Sequence, residues 1–339
     1  MSSSDLVTVA QAMVAEGKGI LAIDESTGTI AKRFKSIKVE CTEANRRAYR
    51  EMLLTTPGLG KHISGAILYD ETLRQSTADG RSFVSVMQEA GILPGIKVDM
   101  GAHLLAGHPD EKITEGLDGL RARLEEYRAL GARFAKWRAV ITIGETIPTS
   151  SCVDANAHAL ARYAALCQEA GIVPVVEPEV LMDGSHSLDE SFEVTEATLR
   201  SLFHQLYEQN VLLEGTILKA SMVISGSEAS SRAGVQDVAE ATVQCLLNAV
   251  PAATAGVVFL SGGQSDEEAT AHLDAMNKLG AFPWPLTFSY GRALQAAALS
   301  VWGENISANA AAAQKRLAHR ARMNGLAAVG EYDASQEAA

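Results

Sequence analysis

Short apolar, β-branched runs recur along the chain at residues 19–24, 65–69, 95–99, 133–140, 173–180, 214–219, 256–261 and 286–290. Each has the length of a strand, and several open at a glycine: Gly19, Gly65, Gly95, Gly131, Gly215 and Gly256. Between most of them the spacing turns helical. Leucines at 117, 120, 124 and 130 are separated by Arg and Glu, and Asn156–Ala170 is rich in Ala and Leu. Leu188–Gln209 carries Leu199, Leu202, Phe203 and Leu206, and Asp237–Ala249 and Asp266–Leu279 have the same form. Asp237 and Asp266 are the expected N-caps and Gly280 a C-terminal stop. Strand and helix alternating eight times predict a parallel sheet with crossover helices. Eight such units closing on themselves give an α/β fold, a single (β/α)8 TIM barrel over residues 1–339. No Gly-x-Gly-x-x-Gly follows the first run, which places the barrel ahead of an open doubly wound sheet. The Ala-rich stretch 305–328 predicts one or two additional terminal helices, and the polar residues from about 330 to 339 a mobile tail.

Several of the runs carry charge toward their C-terminal ends: Asp24 on the first, Lys136 on the fourth, Glu177 and Glu179 on the fifth, and Lys219 on the sixth. In a barrel of this type the chemistry sits at the C-terminal ends of the strands. Side chains alternate with period two, so Glu177 and Glu179 face one side of their strand, as do Lys136 with Arg138 and Lys97 with Asp99. Converging strand ends would then hold an amine, carboxylates and further cations in one pocket. A lysine amine attacks a carbonyl only as the free base, a state favoured by burial or by a nearby cation; Lys136 and Lys97 are the candidate neighbours. Glu177 either neutralises these lysines or carries the proton transfers that make and break a carbinolamine, and Glu179 has the same two readings. Asp24 either caps the helix that begins near Ser26-Thr27-Gly28 or acts as the base on a substrate hydroxyl.

Two segments look like anion cradles. Leu260-Ser-Gly-Gly-Gln264 follows the seventh run, presenting Ser261, Gly262 and Gly263; Ser289-Tyr-Gly-Arg292 follows the eighth, presenting Ser289, Gly291 and Arg292. Barrels frequently bind phosphate in these two loops through backbone N–H groups and a helix N-terminus, and Arg adds a bidentate donor pair. A second cluster of Ser26, Thr29, Lys32, Arg33 and Lys97 would hold another phosphate at the opposite end of a substrate.

Composition narrows the partners. A net charge of −12 argues against nucleic acid or an anionic membrane surface as a general partner, so any bound anion must be caught by a few placed Lys and Arg. No stretch approaches the roughly 20 apolar residues of a membrane span, and the N-terminal residues lack the basic-then-apolar pattern of a secretory signal. Cys41, Cys152, Cys167 and Cys245 form no C-x-x-C pair and read as reduced thiols; a cytoplasmic location is expected. The eight histidines show no H-x-x-x-H or H-E-x-x-H spacing, so neither a metal nor another cofactor is expected; the electron sink would be an iminium. His186 is expected to be a surface histidine.

Taken together, these residues closely resemble the class I fructose-bisphosphate aldolases from about Gly17 to Trp302. The stretches that carry the resemblance are 21–34, Gly95-Ile-Lys-Val-Asp99, Phe134-Ala-Lys-Trp-Arg138, Val176-Glu-Pro-Glu179, 213–219, 259–265 and 287–294. The resemblance implies a metal-independent homotetramer that cleaves fructose 1,6-bisphosphate reversibly to dihydroxyacetone phosphate and glyceraldehyde 3-phosphate. It makes Lys219 the Schiff-base residue, Glu177 the acid/base, Asp24 the acceptor of the C4 hydroxyl proton and Lys136 a support for the imine chemistry. Ser261, Gly262, Gly291 and Arg292 match positions around the C1 phosphate; Ser26, Thr29, Arg33 and Lys97 match those toward the C6 phosphate; Arg138 and Ser289 also line the site. The chain departs from the pattern of animal members, which end in a tyrosine that helps to protonate the enamine and favours the bisphosphate. Here the last residues are Gln336-Glu-Ala-Ala339 and the nearest tyrosine is Tyr332. Ala220-Ser221 replaces the Pro-Asn often found after the lysine, and Thr29 stands where serine is common, keeping the hydroxyl.

Overall fold

In a computed structural model describing residues 3–338, all eight runs become strands of one closed parallel barrel. The strands are β1 (Gly19–Ile23), β2 (Ile63–Leu68) and β3 (Leu93–Lys97), then, after a short hairpin of β4 (Ala102–Leu104) and β5 (Lys112–Thr114), β6 (Phe134–Ile141), β7 (Val173–Val180), β8 (Ile217–Ala220), β9 (Gly256–Phe259) and β10 (Leu286–Tyr290). Around the barrel the order is β1-β10-β9-β8-β7-β6-β3-β2, each strand beside its sequence neighbour, with β1 closing on both β2 and β10. The antiparallel β4–β5 hairpin was not expected. Its first strand is exposed along its length and has no apolar alternation to mark it.

Alternation along each strand divides the core in two. Inward positions Ile20, Ile67, Phe134, Val173, Val175, Ile217 and Val258 pack together, and the N-terminal helix Ser3–Met13 closes this interior with Leu6, Val9, Ala10 and Met13. Outward positions such as Leu21, Ile96, Trp137, Val176, Leu218 and Phe259 pack against the surrounding helices. Two glycines, third in β2 and β3 rather than at the strand starts, make room for a large ring. A Cβ on Gly95 would lie 2.2 Å from the buried Phe134 ring, and one on Gly65 2.9 Å from it. Neither the ring nor the strand can withdraw, so Gly95→Ala is expected to cost about 1–3 kcal/mol in urea unfolding.

The expected helices form with adjusted ends. The N-caps are Gly234 and Ser265 rather than Asp237 and Asp266. Asp237 reaches back to the Gly234 N–H, and Ser265 and Glu268 form a reciprocal capping box, so the acidic residues sit in the first turn where the helix dipole favours them. One helix, Ala310–Ala327, fills the Ala-rich stretch after 305. Residues beyond 330, where a mobile tail is predicted, fold back onto the barrel. Tyr332 is buried, its N–H donates to Asp274 at 3.0 Å, and Glu337 accepts from the Tyr332 hydroxyl and pairs with Arg320 and His319. The polar side chains that suggested a free tail are the ones that anchor it. Ala339 lies outside the described residues.

Candidate active site

The inward alternation continues past the apolar layers to the C-terminal rim, where it delivers charge. Asp24 follows Ile20 and Ala22; Lys136 and Arg138 follow Phe134; Glu177 and Glu179 follow Val175; Lys219 follows Ile217. Register puts Lys97 beside Lys136 and Arg138 beside Glu177. Fifteen of the seventeen predicted site residues, all but Gly263 and Lys32, line a single cavity of about 210 Å³. Gly263 sits just outside it with φ +93°, and a Cβ there would come within 3.9 Å of the Arg292 guanidinium.

At the floor of the cavity two lysines and two carboxylates form a chain. Lys219 Nζ lies 3.0 Å from Glu177 Oε1, Glu177 Oε2 lies 3.4 Å from Lys136 Nζ, and Lys136 Nζ lies 2.6 Å from Asp24 Oδ2. All four side chains are largely withdrawn from water. Burial pushes the Asp24 carboxyl up, but Lys136 and then Lys219 outweigh it and hold Asp24 at about 2. Glu177 shows the same contest: burial raises it, and Lys136, Lys219 and Arg138 bring it below the usual carboxylate range. Burial works against the Lys136 ammonium, yet Asp24 and Glu177 hold it well above an ordinary lysine. Lys136 is therefore a permanent cation between two ionised carboxylates.

This arrangement carries a stability signature. Asp24 has a depressed folded-state value, so its contribution is complete above about pH 4 and is lost as pH falls toward about 2. Lys136→Met removes the cation, and burial then favours the protonated acids, raising their folded-state values above the unfolded ones. Such a variant is expected to lose about 3–5 kcal/mol at pH 7. The deficit should shrink as pH drops through 5 to 4, because protonation relieves the stranded charges. Thermal melts of both proteins across that range check this; a deficit independent of pH would contradict the reading.

Other predicted residues are held by partners that sequence did not indicate. Lys97, expected as a cationic neighbour of Lys219, is instead bound by Asp99, through the backbone carbonyl at 2.7 Å and the carboxylate. Glu179 pairs with Arg138. Asp24 does not cap the following helix; that position belongs to Ser26, whose hydroxyl meets Thr29 at 3.2 Å. Arg33, matched to the C6 end, has its guanidinium against the other cradle, 3.8 Å from where a Gly291 Cβ would stand. It is oriented by Glu25, which also accepts from Arg50 at 2.9 Å and Gln295 at 3.0 Å. Glu25 was missed, and its signal was present: the residue after inward Asp24 must point outward, where an acid needs a buried cation. Lys32, expected in the second phosphate cluster, is exposed and does not line the cavity, and His186, expected at the surface, is buried.

Both cradles form. Gly262 and Gly263 take left-handed conformations (φ +45° and +93°) after β9, and Gly291 precedes the helix Arg292–Glu304 after β10. The Ser289 hydroxyl is buried in the cavity without a protein partner. Among the described residues no group of three His, Cys, Asp or Glu is arranged to hold a metal ion, and no helix is long and apolar enough to cross a membrane.

A parallel barrel whose rim brings a buried amine, ionised carboxylates and two anion cradles into one cavity has the make-up of a Schiff-base lyase acting on sugar phosphates. Comparison with known proteins is in accord. The family model described as fructose-bisphosphate aldolase class-I matches residues 5–339. The chain is 66% identical over 332 residues (98% of this chain, 99% of the relative) to a probable fructose-bisphosphate aldolase class 1 of Xanthomonas campestris. It is 54% identical over 329 residues (97% and 84%) to the cytosolic fructose-bisphosphate aldolase 4 of Arabidopsis thaliana. A crystal structure of Plasmodium falciparum fructose-bisphosphate aldolase, in complex with TRAP and a small-molecule inhibitor, superposes with a TM-score of 0.96 at 50% identity, covering 97% of this chain and 95% of that one. The chain belongs to the class I fructose-bisphosphate aldolases.

Proposed function

We propose that this aldolase cleaves fructose 1,6-bisphosphate to dihydroxyacetone phosphate and glyceraldehyde 3-phosphate, reversibly, through an imine on Lys219. The observation that carries the reading is the Lys219–Glu177 contact of 3.0 Å inside a cavity flanked by both cradles. Glu177 is ionised at rest and takes a proton from the Lys219 ammonium. The free amine attacks the C2 ketone, and the protonated Glu177 gives its proton to the departing hydroxyl as water leaves, so the imine carries the positive charge. Asp24 then accepts the C4 hydroxyl proton. The C3–C4 bond breaks, its electron pair moves into the imine, and the aldehyde product departs. Protonation of the resulting enamine carbon and hydrolysis return the lysine. We assign that protonation to Glu177, reloaded with the C4 proton that Asp24 passes along Lys136, since Tyr332 is committed to Glu337.

Lys136 keeps Asp24 ionised and aligned, and Glu179 fixes Arg138 toward the substrate. Ser261, Gly262, Gly263, Ser289, Gly291 and Arg292 hold the C1 phosphate, and Ser26, Thr29 and Lys97 the C6 phosphate, with Arg33 between them. Clamping both ends places the reacting bond, which can remove much of the barrier. Fructose 1-phosphate and sedoheptulose 1,7-bisphosphate are the competing substrates, and kcat/KM across the three ranks them. We read the assembly as a homotetramer, testable by light scattering. A cytoplasmic location is supported by relatives named as cytosolic in Arabidopsis thaliana and as a cytoplasmic isozyme in Spinacia oleracea.

Borohydride reduction in the presence of fructose 1,6-bisphosphate and excess EDTA, followed by mass mapping, tests the reading directly. The expected adduct is on Lys219. No adduct, with activity lost in EDTA, would mean that a metal polarises the carbonyl.

A further inference from the structure

The loop after β9 is anchored from behind by a side chain that does not face the cavity. Gln264 ends the Ser261–Gln264 turn, its backbone N–H donating to the Ser261 carbonyl at 2.9 Å, and its side chain turns inward and is buried. There its Oε1 meets Nδ1 of His272 at 2.6 Å, while its Nε2 lies 3.6 Å from the Met222 thioether. The thioether only accepts, so the amide nitrogen faces Met222 and the amide oxygen faces the ring. His272 must then donate from Nδ1. The ring is 2 % exposed, and burial lowers its proton affinity, in keeping with a neutral imidazole of that one tautomer.

The contact matters because of what it joins. Gly262 and Gly263 have left-handed backbones and no side chains to fix them, so the cradle has little stiffness of its own. Met222 stands three residues beyond Lys219, and the Leu260 N–H donates to the Ala220 carbonyl at 3.0 Å. His272 belongs to the helix Asp266–Lys278 that leaves the cradle. One buried amide thus ties together the strand end that carries Lys219, the loop, and the helix behind it.

We propose that His272 is a positioning residue for the C1 phosphate: acting through Gln264, it holds the Ser261–Gly263 backbone at the height set by the Lys219 strand. The inference rests on the assignment of the C1 phosphate to the β9 and β10 loops. Phosphate affinity then depends on His272, whereas imine chemistry, once substrate is bound, does not.

The test is steady-state kinetics of His272→Leu and His272→Asn with dihydroxyacetone phosphate in the condensation direction, which carries a single phosphate. Leucine leaves the buried Gln264 oxygen without a donor, and KM should rise about tenfold with kcat within about threefold. Asparagine can present an amide N–H near the position of Nδ1 and should return KM to within about threefold of wild type. Gln264→Leu breaks the same link from the loop side and should reproduce the His272→Leu effect, with the double variant no worse than either; it also serves if leucine at 272 prevents folding. Unchanged KM in His272→Leu, or a kcat loss that asparagine fails to restore, would overturn the proposal. Arg292→Ala separates the two levels. If it raises KM while His272→Leu does not, the positioning role alone fails; if neither moves KM, the C1-phosphate assignment fails with it.

Discussion

Lys219→Ala is expected to abolish turnover, by about 10⁴-fold or more, since the other lysines of the cavity are engaged, Lys136 as a cation between Asp24 and Glu177 and Lys97 by Asp99. The lysine ends β8 with its Nζ 3.0 Å from Glu177, and every step from imine formation to hydrolysis passes through that nitrogen. The fold should persist, because β8 remains paired to β7 and β9 through its backbone. Electrostatics will shift: Glu177 loses one of the cations that hold it below the carboxylate range, so its proton affinity should rise. The decisive measurement pairs the cleavage rate with borohydride trapping. Near-normal turnover in the alanine variant would remove Lys219 from the mechanism and the imine with it.

Asp24→Asn should have the second largest effect, and of a different kind. Asparagine keeps the shape and can still meet Lys136, but it cannot accept the C4 hydroxyl proton. Cleavage should fall by about 10²–10⁴, the usual worth of a placed general base. Imine formation belongs to Lys219 and Glu177, so reduction with borohydride should still attach substrate to Lys219. Cleavage lost with trapping retained would separate the two halves of the mechanism. Trapping lost in parallel would move Asp24 to the imine-forming step. The variant should also lose less stability than wild type between about pH 4 and pH 2, since the contribution that Asp24 makes above that range is already absent from it.

Which features of the site are local and which are not follows from distance along the chain. Asp24, Lys136, Glu177 and Lys219 were legible because a strand alternates with period two. Once Ile20 and Ala22 point inward, Asp24 must do so too, and the same local rule carries Phe134 to Lys136 and Ile217 to Lys219. The recurrence of such strands with helices between them determined the barrel, and a parallel barrel sends all those strand ends to one rim. Glycine loops after the last two strands then placed both cradles.

Pairing was not legible, because it is chosen among groups far apart in sequence. Nothing local distinguishes Lys136 beside Asp24 from Lys97 in the same place. Barrel closure and register set Lys136 between Asp24 and Glu177, while Asp99, two residues on and just past the end of β3, claims Lys97. Glu25 meets Arg50 only because the helix Glu43–Leu54 packs outside β1, and Gln264 finds His272 only because the next helix folds back over the cradle. The polar residues after 330 looked free because their partners, Asp274, His319 and Arg320, lie on other elements. The sequence by itself determined which groups face the cavity, since that is a matter of strand period and strand order. Only the tertiary structure decided which charge neutralises which, since buried ions take the partner that closure and packing bring within about 3 Å.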